Sequence, residues 1–377
     1  MPDHAKASRN PLSNLSRNQW IAVGVVVAVL GAVIGIVATS GSSPTKSAGG
    51  PTTSSSTTTT LPKLGRNICP LTDLPAAGGL DPQRPATLVK IGNEPGTGLA
   101  RPQGGLNEAD IVFDTPAEGF IMRYMAVYQC NNATAIGPTR SVRWVDYHLA
   151  RMFLHPILAF AGGIDPNVNQ VLKDKWIEPA DLIGAQSNAA GRVSTRSGDD
   201  SLFTSTAQLY GLYKKAVEPP PPVFQFGASI PASAAPTATA QINFSSGTDV
   251  VWKWNAAGND WIHSYTDTGT DTDTDNNQPV TTTNIVEMVV SYRIGPYSEH
   301  GGPGNGDVES QTVGFGQGYV LRNGKHIAVT WHRKDLISGL SFTDAQGNAV
   351  TLAPGRTWVE LIPDIVAHRA GNITFTS

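Results

Sequence analysis

Residues 314–331, GFGQGYVLRNGKHIAVTW, place Asn323-Gly324 between two runs of strand-forming residues. Asn-Gly readily supplies the two positive-φ positions of a tight hairpin turn, so Tyr319–Arg322 and Lys325–Trp331 are predicted to pair antiparallel. In the second run Ile327, Val329 and Trp331 alternate with His326, Ala328 and Thr330, which turns one face toward a core. The glycines at 314, 316 and 318 read as a turn or bulge before the hairpin. Flanking segments repeat the pattern: Val250–Trp254 and Trp261–Tyr265 enclose a polar loop, Leu340–Thr343 and Val350–Leu352 enclose another, and Thr357–Ile362 closes the series. Residues 241–377 are therefore expected to form a mainly antiparallel β domain, with Trp331 and Trp358 in its core.

Upstream the periods mix. Residues 86–91, 111–113, 123–129 and 157–160 are short apolar runs of strand length. Val142, Val145, Leu149 and Met152 recur at helical spacing and predict a helix over 141–151, with Arg143, Tyr147 and Arg151 on its opposite face. A second helix is expected over 204–217. This mixed α/β domain, residues 63–217, is separated from the β domain by a Pro/Ala-rich linker at 218–240.

Trp20–Ala38, WIAVGVVVAVLGAVIGIVA, is nineteen residues without a charge. At ~1.5 Å rise per residue it covers most of a ~30 Å hydrocarbon core. Lys6, Arg9 and Arg17 precede it, so residues 1–19 are expected in the cytoplasm, 20–38 in the membrane as a signal anchor, and everything beyond outside the cytoplasm. A cleaved secretory signal, whose apolar region runs ~7–15 residues, is the rival reading. Gly24, Ala28, Gly31 and Gly35 form a small-residue stripe through which two such helices can dimerise. Residues 39–62, rich in Ser and Thr, are expected to form a disordered stalk. The expected fold class is thus α+β: an N-terminal transmembrane helix, a mixed α/β domain, then a mainly antiparallel β domain.

Formal charge is −3 over 377 residues, and the basic first twenty leave about −5 for the remainder, which argues against a nucleic-acid surface. Cys69 and Cys130, both on the oxidising side, are expected to form a disulfide. The first cysteine lies far beyond the apolar run, so lipidation is not expected.

Several runs carry a family resemblance: RPATLVKIGNEP (84–95), ARPQGGLNEADIVFDTPAEG (100–119), IGPTRSVR (136–143), AFAGG (159–163), GFGQGYVLRNGK (314–325) and TWHRKD (330–335). They resemble the YerB-like lipoprotein family, a bacterial domain of unknown function with N- and C-terminal parts. The resemblance implies an extracytoplasmic two-domain protein without an assigned activity. Family members are often lipoproteins, from which the apolar N-terminal segment departs.

The residues themselves offer little catalytic chemistry. No G-x-S-x-G elbow, H-E-x-x-H helix or Cys/His cluster occurs, and no cofactor is expected. His148 and His155 lack further ligands, so no metal site is expected. Asp271, Asp273 and Asp275 have calcium-loop spacing, but Asn276 and Thr282 stand where Gly and Glu are required, so the segment reads as a solvated acidic loop. The strongest constellation is basic: Arg101, Arg123, Arg140 and Arg143, with Asn93 and Gln103, could clamp an anionic envelope ligand. Alternatively those arginines pair with Glu94, Glu108, Asp110, Glu118 and Asp146 and hold loops in place. The rival reading is an envelope hydrolase with Glu118 as general acid or base and Asp146 or Asp114 as second carboxylate. A third reading is a structural module that binds a protein partner.

Overall fold

In the computed structural model, which describes residues 67–76, 81–95, 100–213, 218–244, 249–299, 306–364 and 372–377, Asn323 and Gly324 both take positive φ and close the expected hairpin. The N-terminal half contributes β1 (Thr87–Ile91), β2 (Ile111–Pro116), β3 (Met122–Tyr128), α1 (Trp144–Ala150), β4 (Ile157–Phe160), α2 (Asp165–Lys173), β5 (Glu178–Asp181) and α3 (Thr206–Leu212). The C-terminal half contributes β6 (Thr239–Asn243), β7 (Val250–Asn255), β8 (Asp260–Tyr265), β9 (Asn284–Val290), β10 (Gly314–Arg322), β11 (Lys325–Arg333), β12 (Ser341–Thr343), β13 (Ala349–Val350), β14 (Thr357–Pro363) and β15 (Asn372–Thr376).

A single sheet runs β13-β12-β11-β10-β9-β14-β2-β3-β1-β4-β5, and Ala235–Pro236, pairing with β11, makes it twelve-stranded. Its hinge element is β14. That strand pairs in parallel with β9 on one side and with β2 of the N-terminal half on the other. Both β2 and β14 are buried at every position, as central strands covered on two faces must be.

The expected fold class is corrected accordingly. Strands take 41% of the described residues and helices 13%, the latter as three short α-helices and single 3-10 turns, so the protein is mainly β. One backbone ladder runs through both halves, so the large sheet is common to the two parts. The transmembrane helix expected at 20–38 lies outside the described residues, as do the tail and stalk. Among the described residues no helix is long and apolar enough to cross a membrane, and the structure lends the anchor no support.

Each face of the large sheet has its own core. One packs Phe113, Leu158, Val286 and Leu361 against Val145 and Leu149 of α1, Val171 of α2, and Val223 and Phe224. The last two belong to the segment read as a linker, which is laced to the sheet by Leu340 N–H on Val223 O and Leu352 N–H on Gln225 O. The other face packs Val89, Val112, Ile285 and Trp358 against Trp252, Trp261 and Ile242 of a smaller sheet ordered β8-β7-β6-β15.

Two local readings change. Residues 314–318 are strand: a Cβ on Gly316 would stand 2.7 Å from Trp331 Nε1, and one on Gly318 2.1 Å from Glu287 O, so glycine permits close packing rather than a turn. The acidic loop is not solvated. Asp271 and Asp273 are buried, and Asp273 accepts N–H bonds from Gly105 (2.8 Å) and Asn107 (2.6 Å). Cys69 and Cys130 are joined, with Cα atoms 5.7 Å apart.

Candidate functional site

Strands β1, β4 and β5 run parallel, so their carboxyl ends open on one side of the sheet. Crevices of this kind are where α/β sheets commonly hold ligands. Segment 138–142 is threaded across these ends. Gly92 N–H donates to Pro138 O, Arg140 N–H to Lys90 O, Ala161 N–H to Arg140 O and Val142 N–H to Gly162 O. Gly163 makes the approach feasible: its φ is +148°, and a Cβ there would stand 2.8 Å from Val142 O. The thread ends at Arg143, the N-cap of α1, whose backbone N–H donates to Asp146 Oδ2 at 2.7 Å. Arg143 is 1% exposed, not on a solvent face, because a cap residue has already left the helical pattern.

The thread brings three of the candidate arginines together. Arg123 Nη2 and Arg140 Nε share Glu94 Oε1 at 2.7 and 3.3 Å, and Arg140 also pairs with Asp200. Arg143 Nε reaches Glu118 Oε2 at 2.7 Å while its Nη2 reaches Glu299 Oε2 at 3.0 Å. Burial pushes the Glu94 and Glu299 carboxyls up, yet the guanidiniums beside them prevail and hold both below the usual range. Arg140 Nη1 and Arg123 Nε and Nη1 are buried without an acceptor among the described residues.

The remaining candidates go elsewhere. Asn93 Oδ1 accepts from Arg101 Nε (2.9 Å), Gln103 Nε2 (3.0 Å) and Tyr265 OH (2.8 Å), and the Arg101 guanidinium lies 3.4 Å from the Tyr265 ring centroid. This buried knot fastens Asn93, Arg101 and Gln103 to β8. Of the carboxylates considered with Glu118, Asp146 meets Lys90 on the helix side of the sheet and Asp114 faces the smaller sheet.

A cavity of about 210 Å³ lies over the threaded strand ends, lined by Arg140, Ser141, Gly163, Ile183, Arg192 and Asp199 among others. A wider hollow of about 560 Å³ continues from Gly163 and Glu299 past the start of α2 to Tyr297. Arg192 is the functional candidate that sequence reasoning missed. Its Nη1 donates to Gly198 O and Ser201 Oγ, and no carboxylate pairs with it among the described residues. It lies on a two-residue strand, Gly191–Arg192, facing Leu202–Phe203, and neither period nor motif marks it.

A chain whose two halves share one sheet, with a charged cleft at the ends of its parallel strands, defines a two-part, single-sheet class of protein. The chain belongs to the DUF3048 family of unknown function, whose N-terminal domain matches residues 71–218 and whose C-terminal domain matches 240–359. It is 26% identical over 309 residues to YerB of Bacillus subtilis strain 168, a protein provisionally named a lipoprotein, covering 79% of this chain and 87% of that one. The crystal structure of YerB from Bacillus subtilis has the same fold: TM-score 0.68 at 22% identity, over 81% of this chain and 99% of the other.

Proposed function

We propose that the cleft at the carboxyl ends of β1, β4 and β5 binds a small, sugar-sized ligand carrying a carboxylate or phosphate, in a membrane-associated extracytoplasmic protein of the cell envelope. Kinship with a provisional lipoprotein supports that compartment. The observation that carries the ligand reading is Arg192, a cleft cation with no carboxylate of its own among the described residues, beside Arg140, whose Nη1 has no acceptor among them. An incoming anion pairs with Arg192, while Asp199, Ser141 and Thr139 can meet hydroxyl groups and Ile183 a sugar's apolar face. The paired arginines behind them fix the shape of the cleft rather than hold the ligand.

Thermal unfolding of the full chain with N-acetylmuramic acid, inorganic phosphate or uncharged N-acetylglucosamine tests this reading. A concentration-dependent rise in midpoint with the charged compounds, lost in Arg192→Ala, is expected. The two charged arms separate carboxylate from phosphate. No shift with either one, in a folded sample, favours the protein-partner module.

A further inference from the structure

The cleft leaves unused three of the most deeply buried acids in the molecule. Asp114 on β2, Glu360 on β14 and Glu287 on β9 are register partners across three adjacent central strands. Register partners point to one face, here toward the smaller sheet, and all three have zero exposure. Trp252 Nε1 donates to Glu360 Oε1 at 3.0 Å. Neither oxygen of Glu287 finds a donor among the described residues, while the Asp114 and Glu360 carboxyls lie within hydrogen-bonding reach of each other, with Trp358 beside Glu360.

The groups facing the row can be named from each neighbouring element. Tyr124 on β3 and Tyr319 on β10 flank it in register, and Trp252 on β7 with His263 and Tyr265 on β8 cover it. His263 Nδ1 is paired with Asp271 Oδ2 at 3.1 Å. The cations that act on Asp114 are Lys90, bonded to Asp146, and Arg101, bonded to Asn93 and Asp267. Among the described residues no lysine or arginine is therefore free to neutralise three charges on strands ~4.8 Å apart, and His263, which also acts on Glu360, is held by Asp271. Carboxylates left so in a dry layer take up protons instead. Burial, then Glu360, push Asp114 well above the carboxylate range; burial, then Glu360, do the same to Glu287; burial raises Glu360 against the pull of Trp252.

We propose that this row is a pH-sensitive latch between the two sheets. Protonated, its carboxylic acids donate to one another and let the smaller sheet pack; ionised, they repel and loosen that sheet. The native state then keeps protons that the unfolded chain has released above about pH 4. Stability from the row is complete below that pH and is lost as pH rises through neutrality. Each retained proton lowers the folding constant about tenfold per pH unit. Asp110, raised by burial to about 6, acts in the same sense only below that pH, and Lys90, whose pKa burial lowers, acts in the opposite sense at alkaline pH, so the difference between variant and native protein isolates the row.

Urea unfolding of the full chain from about pH 7 upward, with Glu287→Gln and Asp114→Asn beside the native protein, reads the slope. The native folding constant is expected to fall with pH, hydrogen exchange in β7 and β8 to quicken in step, and each variant to fall less steeply by up to about tenfold per unit. Infrared spectroscopy gives a second readout: a protonated-carboxyl carbonyl band in the native protein at neutral pH, weaker in either variant. Variants whose folding constant follows pH with the same slope as the native protein's overturn the latch, as does the absence of that band. If neither variant folds, the native spectrum decides.

Discussion

Lys90 brings its ammonium to within 2.7 Å of Asp146 with neither side chain exposed, and Thr115 Oγ1 accepts a second bond at 2.8 Å. Burial pulls the lysine pKa down, against the opposing charge of Asp146. Removing one partner from such a pair strands the other, so Lys90→Met is expected to cost ~3–5 kcal/mol in urea unfolding. Adding Asp146→Asn keeps an acceptor for Arg143 N–H and removes the stranded charge, so the double variant should regain most of that loss. Equal losses in both variants would show that the charge pair is not the cause. The sequence marked Asp146 as a partner for arginines, and its true partner was not legible. Lys90 sits in a run, LVKI, buried on both faces, where alternation no longer tells inside from outside. The arginine cluster was legible because 136–143 and 100–119 concentrate charge near strand ends. Arg192 was not, because its place depends on a distant loop returning to the cleft.

Elements joined by local turns were read with nearly their observed bounds, the β7–β8 hairpin most clearly, and the turn between β10 and β11 was placed at Asn323-Gly324, because turn residues and the two-residue period are properties of the chain itself. The glycines of β10 were misread because their need is tertiary: Trp331 and the β9 backbone occupy the space a side chain would fill. The acidic loop shows the same limit, since Asp273 meets backbone N–H groups more than 160 residues away in sequence. At this scale the disulfide makes a clean prediction. It closes a loop spanning 61 residues between the start of the described fold and the segment after β3. Replacing both cysteines by serine should lower stability by ~4 kcal/mol through the unfolded chain's regained freedom. A loss well under ~1 kcal/mol would mean that the 67–76 segment adds little constraint.

For the whole molecule, the decisive feature is β14 between β9 and β2. Parallel pairing between segments about 246 residues apart leaves no local period, so the sequence divided what the sheet unites. The same pairing aligns Asp114, Glu360 and Glu287, and the parallel set β1, β4 and β5 opens the cleft. Hydrogen exchange of the full chain with and without saturating N-acetylmuramic acid or inorganic phosphate tests the cleft most directly. Slower exchange confined to 139–143, 161–168 and 191–202 in at least one arm is the expected result. Protection elsewhere, or none in either arm, would contradict the assignment of the ligand site to the ends of the parallel strands.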